Sequence, residues 1–157
     1  MAGIGDTLIA TPFIHELRAN FPAATIDALV MWPGAKDLLE HDPDVNHVFQ
    51  KNLMKCGKLE ALRFLWSLRR ERYQLSINTH PQSRIHYRVA AWLAGAAVRI
   101  SHEYDGCHWL DHWLVTGTLP QDYTRHSIEN NFAVLPLIGA KKKIAGDGNA
   151  FFSVTGG

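Results

Sequence analysis

Short apolar segments that suit β-strands alternate along this chain with longer segments of helical periodicity. The strand-like segments occupy residues 25–31, 45–49, 75–78 and 97–100. Apolar residues have helical spacing over residues 8–21, 35–39, 58–72, 83–94 and 127–138. Strands that alternate with helices favour a parallel sheet covered by helices on both faces. The pattern therefore predicts an α/β fold, and 157 residues are enough for one such domain.

In such a sheet the working site lies at the carboxyl ends of the strands. Three segments are therefore predicted to converge: residues 3–7, 51–58 and 79–84. The second segment contributes three cations, which form either a solvated loop or an anion-binding patch: Lys51, Lys55 and Lys58. The third contributes polar groups that serve either the turn or a bound ligand: His80, Gln82 and Arg84.

The N-terminal segment, residues 3–7, places two glycines and an acid directly before a helix. Gly3 and Gly5 allow a sharp backbone turn, and a helix N-terminus directs free N–H groups at whatever lies above it, which favours an anion. Asp6 either caps the helix or serves as a base in a cleft. Gly-x-Gly without a third glycine is a poor dinucleotide fingerprint. The local stretch alone leaves both roles of Asp6 open.

Composition and charge exclude several classes of protein. The hydrophobic fraction of 46% is that of a soluble globular protein, and a net charge of +1 gives no global case for nucleic-acid binding. Cys56 and Cys107 are too few for a disulfide framework and suit a reducing cytosol. No stretch is long enough for a membrane-spanning helix, and no leader is visible. We therefore expect a cytoplasmic protein.

A cluster of potential zinc ligands follows residue 101. It comprises His102, Cys107, His108, Asp111 and His112. Its spacing matches no structural zinc pattern, and His-Glu-x-x-His is absent. The neighbouring tryptophans indicate a packing segment instead, so we expect no metal.

The helix predicted over residues 58–72 has two possible uses. Its apolar stripe consists of Leu59, Leu62, Leu65 and Trp66. Arginines lie largely outside this stripe: Arg63, Arg69, Arg70 and Arg72. Because the helix connects two strands, the stripe is predicted to cover the sheet. The alternative is weak binding to a membrane surface.

Several stretches taken together resemble the bacterial heptosyltransferases of glycosyltransferase family 9. The opening Gly-Ile-Gly-Asp-Thr-Leu-Ile-Ala-Thr-Pro is the first of them. The others follow in the family's order over residues 21–26, 42–48, 68–78, 94–100 and 126–131. No single motif is decisive, but their order along the chain identifies it as a member of this family.

The resemblance implies a GT-B glycosyltransferase, built from two Rossmann-like domains. Asp6 corresponds to the family's proposed catalytic base. The resemblance also implies that the acceptor is bound by Gly5, Thr7, Lys51, Lys55, Lys58, His80, Gln82 and Arg84. The substrates implied are a nucleotide sugar, ADP-heptose, and the lipid A/core oligosaccharide of lipopolysaccharide at the inner membrane. The donor is a co-substrate, and no cofactor or metal is expected.

The sequence also departs from the family pattern. Gln74 and Asn78 stand where the family often has aspartates, so neither can act as a carboxylate base. The family's first strand and its C-terminal nucleotide-sugar domain have no counterpart here. We expect residues 1–140 to form an acceptor-side domain and 141–157 a linker, the whole being inactive alone. The alternative is a stand-alone, non-catalytic Rossmann-like module that binds an anion or nucleotide.

Without the family's first strand, the sheet would be divided into two half-sheets. Unpaired buried backbone groups cost roughly 1–3 kcal/mol each, so we expect the gap to be closed. Shifted strand pairing would close it, or the apolar segment 151–154 would partly fill it.

Overall fold

The computed structural model describes residues 3–82, 84–106 and 109–144. The α-helices in this part are α1 (Ile4–Asn20), α2 (Pro33–Glu40), α3 (Lys58–Ser67), α4 (Ile85–Ala94) and α5 (Ser127–Phe132). The strands are β1 (Asp27–Val30), β2 (His47–Gln50), β3 (Leu75–Ile77), β4 (Val98–His102) and β5 (Gly117–Leu119). Short 3₁₀ segments cover Leu68–Glu71, Trp109–Leu114 and Leu135–Ile138. None of these helices is long and apolar enough to cross a membrane.

All strand pairs are parallel, and they form two sheets. The first sheet pairs β1 with β2, with Asp27 opposite His47. The second has the order β3-β4-β5, with Leu75 opposite Val98 and Ile100 opposite Gly117. The predicted α/β class with parallel strands is confirmed. The sequence did not predict β5, whose three residues include a glycine and show no periodicity.

Helix α1 packs on both sheets. Its Ile14 contacts the first sheet together with Ala35 and Leu39 of α2, while its Phe13 belongs to a second cluster with Ile100 of β4. A proline lies inside this helix, at position 12, and cannot donate to the carbonyl of Leu8. The hydroxyl of Thr11 donates to that carbonyl instead, at 2.9 Å. Helices α3 and α4 pack together on the side of the sheets opposite α1, around Leu65, Leu68 and Ala90.

A cleft of about 750 Å³ separates the two sheets. Its walls include residues 24–29, which lead into β1, and residues 71–79, which contain β3. The Tyr73 hydroxyl donates across it to Asp27 Oδ2 at 2.7 Å. The expected half-sheets are therefore present. Shifted pairing does not close the gap in the described part of the chain, because β1 and β3 are not hydrogen-bonded neighbours. Segment 151–154 lies outside the described residues.

The predicted apolar stripe of α3 is wrong. Leu59, Leu62 and Trp66 are exposed, and only Leu65 of that set is buried. The residues that face inward are Ala61, Phe64, Leu65 and Leu68, which have equally good helical spacing. The helix also ends at Ser67 and continues as a 3₁₀ turn, which brings Leu68 into the core.

The predicted C-terminal helix is shorter than expected. Helix α5 ends at Phe132, and Pro136 lies in the separate 3₁₀ turn that follows.

Beyond this turn, hydrogen bonds connect the chain to α1. The fully buried Glu16 carboxylate accepts the N–H groups of Lys143 at 2.7 Å and Ile144 at 2.8 Å.

Candidate functional site

Asp6 lies in the first turn of α1. The helix begins at Ile4, one turn earlier than the glycine motif predicted, and neither Gly3 nor Gly5 has a positive φ. The N–H of Gly3 donates to Asp6 Oδ2 at 3.2 Å, so Asp6 does cap its own helix. Thr7 is fully buried, and its hydroxyl donates to the Gly3 carbonyl at 2.8 Å. The predicted sharp turn is therefore replaced by a capped helix start, and the Thr7 hydroxyl serves the cap.

Gln82 connects Asp6 to the carboxyl end of β3. Its Nε2 donates to Asp6 Oδ2 at 3.0 Å, and its Oε1 accepts from the Thr79 hydroxyl at 3.2 Å. Gln82 is 3% exposed, so this amide is fixed in place. Within the described part of the chain, Asp6 Oδ1 accepts no hydrogen bond. Asp6 therefore has one oxygen held by two donors and the other available for a ligand.

His80 lies beside this pair in a buried polar cluster. Its N–H donates to Asn131 Oδ1 at 2.7 Å, and its Nε2 is 2.6 Å from Gln121 Nε2. Because an amide nitrogen only donates, His80 Nε2 accepts in this arrangement and Nδ1 carries the proton. The His102 ring is 5.7 Å away, edge-on, and its Nε2 donates to the carbonyl of Asn130 at 2.8 Å.

Three buried side-chain atoms of this cluster have no hydrogen-bond partner among the described residues: His80 Nδ1, His102 Nδ1 and Asn131 Nδ2. Buried polar atoms are normally satisfied, so unpartnered buried atoms indicate groups that can receive a ligand or an ordered water. With His102 Nε2 donating, the set offers two donors and one acceptor, which complements a hydroxyl group, since a hydroxyl has one donor and two acceptor lone pairs.

Burial lowers the pKa of both histidines from its usual value. For His80 burial is the main cause, partly opposed by the negative charge of Asp6. For His102 burial again dominates, partly opposed by the bond to the Asn130 carbonyl. Both rings therefore stay neutral in the folded protein at pH values where the unfolded chain, with a histidine pKa of about 6.5, takes up protons.

We expect the free energy of unfolding to fall as the pH is lowered from 7.5 towards 5.5. The unfolded state then binds more protons than the native state, so stability is full above about pH 6.5 and decreases below it. The slope is at most about 1.4 kcal/mol per pH unit for each such histidine. Urea unfolding across this range measures it. The slope should flatten in His102→Asn and not in His41→Asn, an exposed histidine of the first half of the chain. Equal slopes in all three proteins would contradict the prediction.

Among the described residues, the predicted basic groups make no direct contact with Asp6. Lys51 forms an ion pair with Glu60, and Lys55 Nζ lies 5.3 Å from the centre of the Trp32 ring. Lys58 is exposed at the start of α3, and Arg84 is exposed at the start of α4. None of the contacts among described residues joins these four to Asp6 or Gln82. The structure therefore brings residues 3–7 and 79–82 together but leaves 51–58 without a direct contact to them.

Three polar groups of the site were not predicted to lie there, although His102 was considered as a potential zinc ligand. His102 ends β4, Asn131 lies in α5 and Gln121 follows β5. The signal for Asn131 was a pair of asparagines, 130 and 131, inside an amphipathic segment, where a buried amide needs a partner. Gln121 gave no signal of its own.

A separate group of potential metal ligands lies elsewhere on α1 and on the loop before β2. It consists of His15, Asp42 and Asp44, whose ligand atoms lie within 4.8 Å of one another. His15 and Asp44 form an ion pair, and Asp42 Oδ1 accepts the N–H of Asp44 at 2.9 Å. These bonds explain why the three side chains lie together: they stabilise the turn at residues 42–44 and connect it to α1. Of the zinc-like set seen in the sequence, Cys107 and His108 lie outside the described residues.

Comparisons with known proteins give consistent matches. The chain is 29% identical over 140 residues to lipopolysaccharide heptosyltransferase 3 of Escherichia coli (strain K12), covering 86% of this chain and 40% of that protein. A second Escherichia coli lipopolysaccharide heptosyltransferase 3 is 30% identical over 104 residues, covering 64% of this chain and 30% of that protein. The chain thus spans well under half the length of these curated relatives. No family profile matches it.

A solved structure shares the fold. The glycosyl transferase family 9 protein from Veillonella parvula DSM 2008 superposes with a TM-score of 0.68, covering 88% of this chain and 39% of its own. Its sequence identity is 22%, so this likeness shows the Rossmann-like α/β fold alone. Together with the two sequence matches, it supports membership of glycosyltransferase family 9, at modest sequence identity.

Proposed function

We propose that this chain supplies the acceptor side of an inverting glycosyltransferase, with Asp6 as the general base. The observation that carries the proposal is the Asp6 carboxylate, fixed through Oδ2 by Gly3 and Gln82 and open at Oδ1. In the reaction an acceptor hydroxyl oxygen bonds to the anomeric carbon of the donor sugar, and the bond from that carbon to the diphosphate breaks. The hydroxyl proton passes to Asp6 Oδ1, and the nucleoside diphosphate leaves with the bonding electrons.

Gln82 would act as a positioning residue for this base. Its amide is oriented by Thr79, because the hydroxyl occupies Oε1 and leaves Nε2 to donate to Asp6. The unpartnered groups of His80 and Asn131 would then receive a second hydroxyl of the acceptor sugar. Arg84 and the three lysines would act at the periphery, on the phosphates of a larger acceptor.

The names of the relatives support the choice of substrates. Two relatives are lipopolysaccharide heptosyltransferases, which supports ADP-heptose as donor and a lipopolysaccharide core oligosaccharide as acceptor for the protein of which this chain is part. The acceptor would be met at the cytoplasmic face of the inner membrane. In this proposal the donor is held by a second domain, beyond the linker that begins near residue 141, and no cofactor or metal takes part.

The chain alone should therefore bind acceptor and not donor. We expect ADP-heptose to bind no more tightly than about millimolar, equivalent to about 4 kcal/mol. Phosphorylated core oligosaccharide should shift the backbone NMR signals of residues 3–7 and 79–82. Calorimetry measures the affinity for ADP-heptose, and NMR titration measures the shifts caused by the oligosaccharide. Gln82→Leu should reduce these shifts, whereas the control Gln50→Leu, on β2, should not.

This pair of titrations also separates the alternative function. A non-catalytic module that binds nucleotide would give micromolar affinity for ADP-heptose and no response to the oligosaccharide. The structure gives no specific support for that alternative, because the first turn of α1 is occupied by a carboxylate rather than open to an anion.

A further inference from the structure

One side of α3 exposes an apolar stripe. Leu59, Leu62 and Trp66 follow one another at helical spacing and are 59%, 43% and 57% exposed. The core is filled from the other side of the same helix, by Leu65 and, just beyond its end, Leu68. Packing within the described fold therefore does not explain the exposed stripe, and a contiguous exposed apolar patch indicates a contact surface.

Arginines surround this stripe. Leu62 and Trp66 line a surface groove of about 660 Å³, whose remaining lining residues are Arg63, Ser67, Arg69, Arg70 and Arg72. No acidic residue lines the groove. Among the described residues, none of the four arginines lies within ion-pair distance of a carboxylate. The groove is therefore a concentrated positive surface next to apolar side chains.

The arrangement of this surface is partly fixed by packing. The Arg69 guanidinium lies 4.3 Å from the centre of the Trp66 ring, and its side chain runs against Gly95 at the end of α4. A Cβ at position 95 would come within 2.7 Å of Arg69 Nε, and Gly95 has a φ of +81°. Because residue 95 is a glycine, the Arg69 side chain can lie flat between α3 and α4. In this position its guanidinium packs on one side of the Trp66 ring.

We propose that this face of α3 docks on the surface of an anionic phospholipid bilayer. Leu59, Leu62 and Trp66 would enter the boundary between headgroups and acyl chains, as the apolar side of an interfacial helix does. The arginines would bind lipid phosphates, for which the planar guanidinium provides paired donors. A second copy of the chain is a poor occupant of the same face, because two such grooves would bring eight arginines together without an acid.

The proposal is independent of glycosyl transfer, and vesicle binding tests it without any sugar. The chain should co-float with vesicles that contain phosphatidylglycerol and not with vesicles of phosphatidylcholine alone. Binding should weaken as NaCl is raised from about 0.1 M to about 1 M, because salt screens the attraction. Arg63→Gln combined with Arg70→Gln should reduce the partition coefficient about 25-fold, at about fivefold for each arginine.

Matched variants at positions outside α3 and its groove serve as controls. Leu137 is 48% exposed beyond α5, so Leu137→Ser matches Leu62→Ser, and only the latter should weaken binding. Lys36→Gln combined with Lys141→Gln removes the same charge as the double arginine variant and should leave binding almost unchanged.

Several outcomes would overturn the proposal. They are equal binding to neutral vesicles, absence of binding to both kinds, and equal losses in test and control variants. Self-association in sedimentation that Leu62→Ser abolishes, without vesicle binding, would show that the face pairs two copies instead. Circular dichroism of each variant confirms that losses do not come from unfolding, and exposed positions make unfolding an unexpected result.

Discussion

Asp6→Asn is expected to lower the rate of sugar transfer by about 100-fold or more, the scale of a lost general base. The asparagine can still accept hydrogen bonds from Gly3 and Gln82, so the helix start should remain intact. The measurement is kcat in a chimera in which this chain replaces the aligned segment of the Escherichia coli (strain K12) relative. Such a chimera also supplies the 60% of that relative to which the chain does not align, where the proposed function places donor binding.

The control for this variant is Asp37→Asn, an exposed aspartate in α2. It should transfer sugar at the rate of the parent chimera, and both variants should keep the parent's affinity for ADP-heptose. Turnover close to the parent's in Asp6→Asn would reduce Asp6 to a helix cap. A cap of this kind contributes about 0.5–2 kcal/mol to stability and nothing to the chemical step.

The second large effect is expected on stability. Glu16→Ala should lower the free energy of unfolding by about 2–4 kcal/mol, because it removes a fully buried carboxylate that accepts two backbone N–H groups. Urea unfolding gives the difference. Glu16→Gln keeps one acceptor oxygen and should lose less.

An exposed glutamate provides the comparison. Glu40→Ala removes a surface pair with Lys36, four residues away in α2, and should cost no more than about 0.5 kcal/mol. If the two alanine variants lost equal stability, the connection between α1 and residues 143–144 would be unimportant for folding.

Local sequence signals were enough to predict most of the fold. The alternation of strands and helices gave the parallel α/β class, and Gly95 and Gly139 end their helical segments in the left-handed conformation that favours glycine. The inward face of α3 could not be predicted, because two apolar stripes share the same helical period. Only the position of the neighbouring α4 decides between them, and periodicity contains no information about it.

The site was predicted in part for a similar reason. Convergence at the carboxyl ends of strands brings Gln82 to Asp6, although 76 residues separate them. His80 pairs with Asn131 across 51 residues, and no local pattern connects the two. Lys51 was assigned to the site because it follows a strand, yet Glu60 in the next helix is close enough to neutralise it.

The absence of hydrogen bonds between β1 and β3 has a consequence for motion. A continuous sheet opens as one cooperative unit, whereas here each sheet can fluctuate without breaking the backbone ladder of the other. Mechanical coupling between them passes through side chains: those of α1, those of the α3–α4 cluster that includes Leu29 and Phe49, and the Tyr73–Asp27 bond. Asp6 lies in α1 and Gln82 lies beyond the end of β3, so a motion of α1 relative to the second sheet would change the length of the hydrogen bond between them.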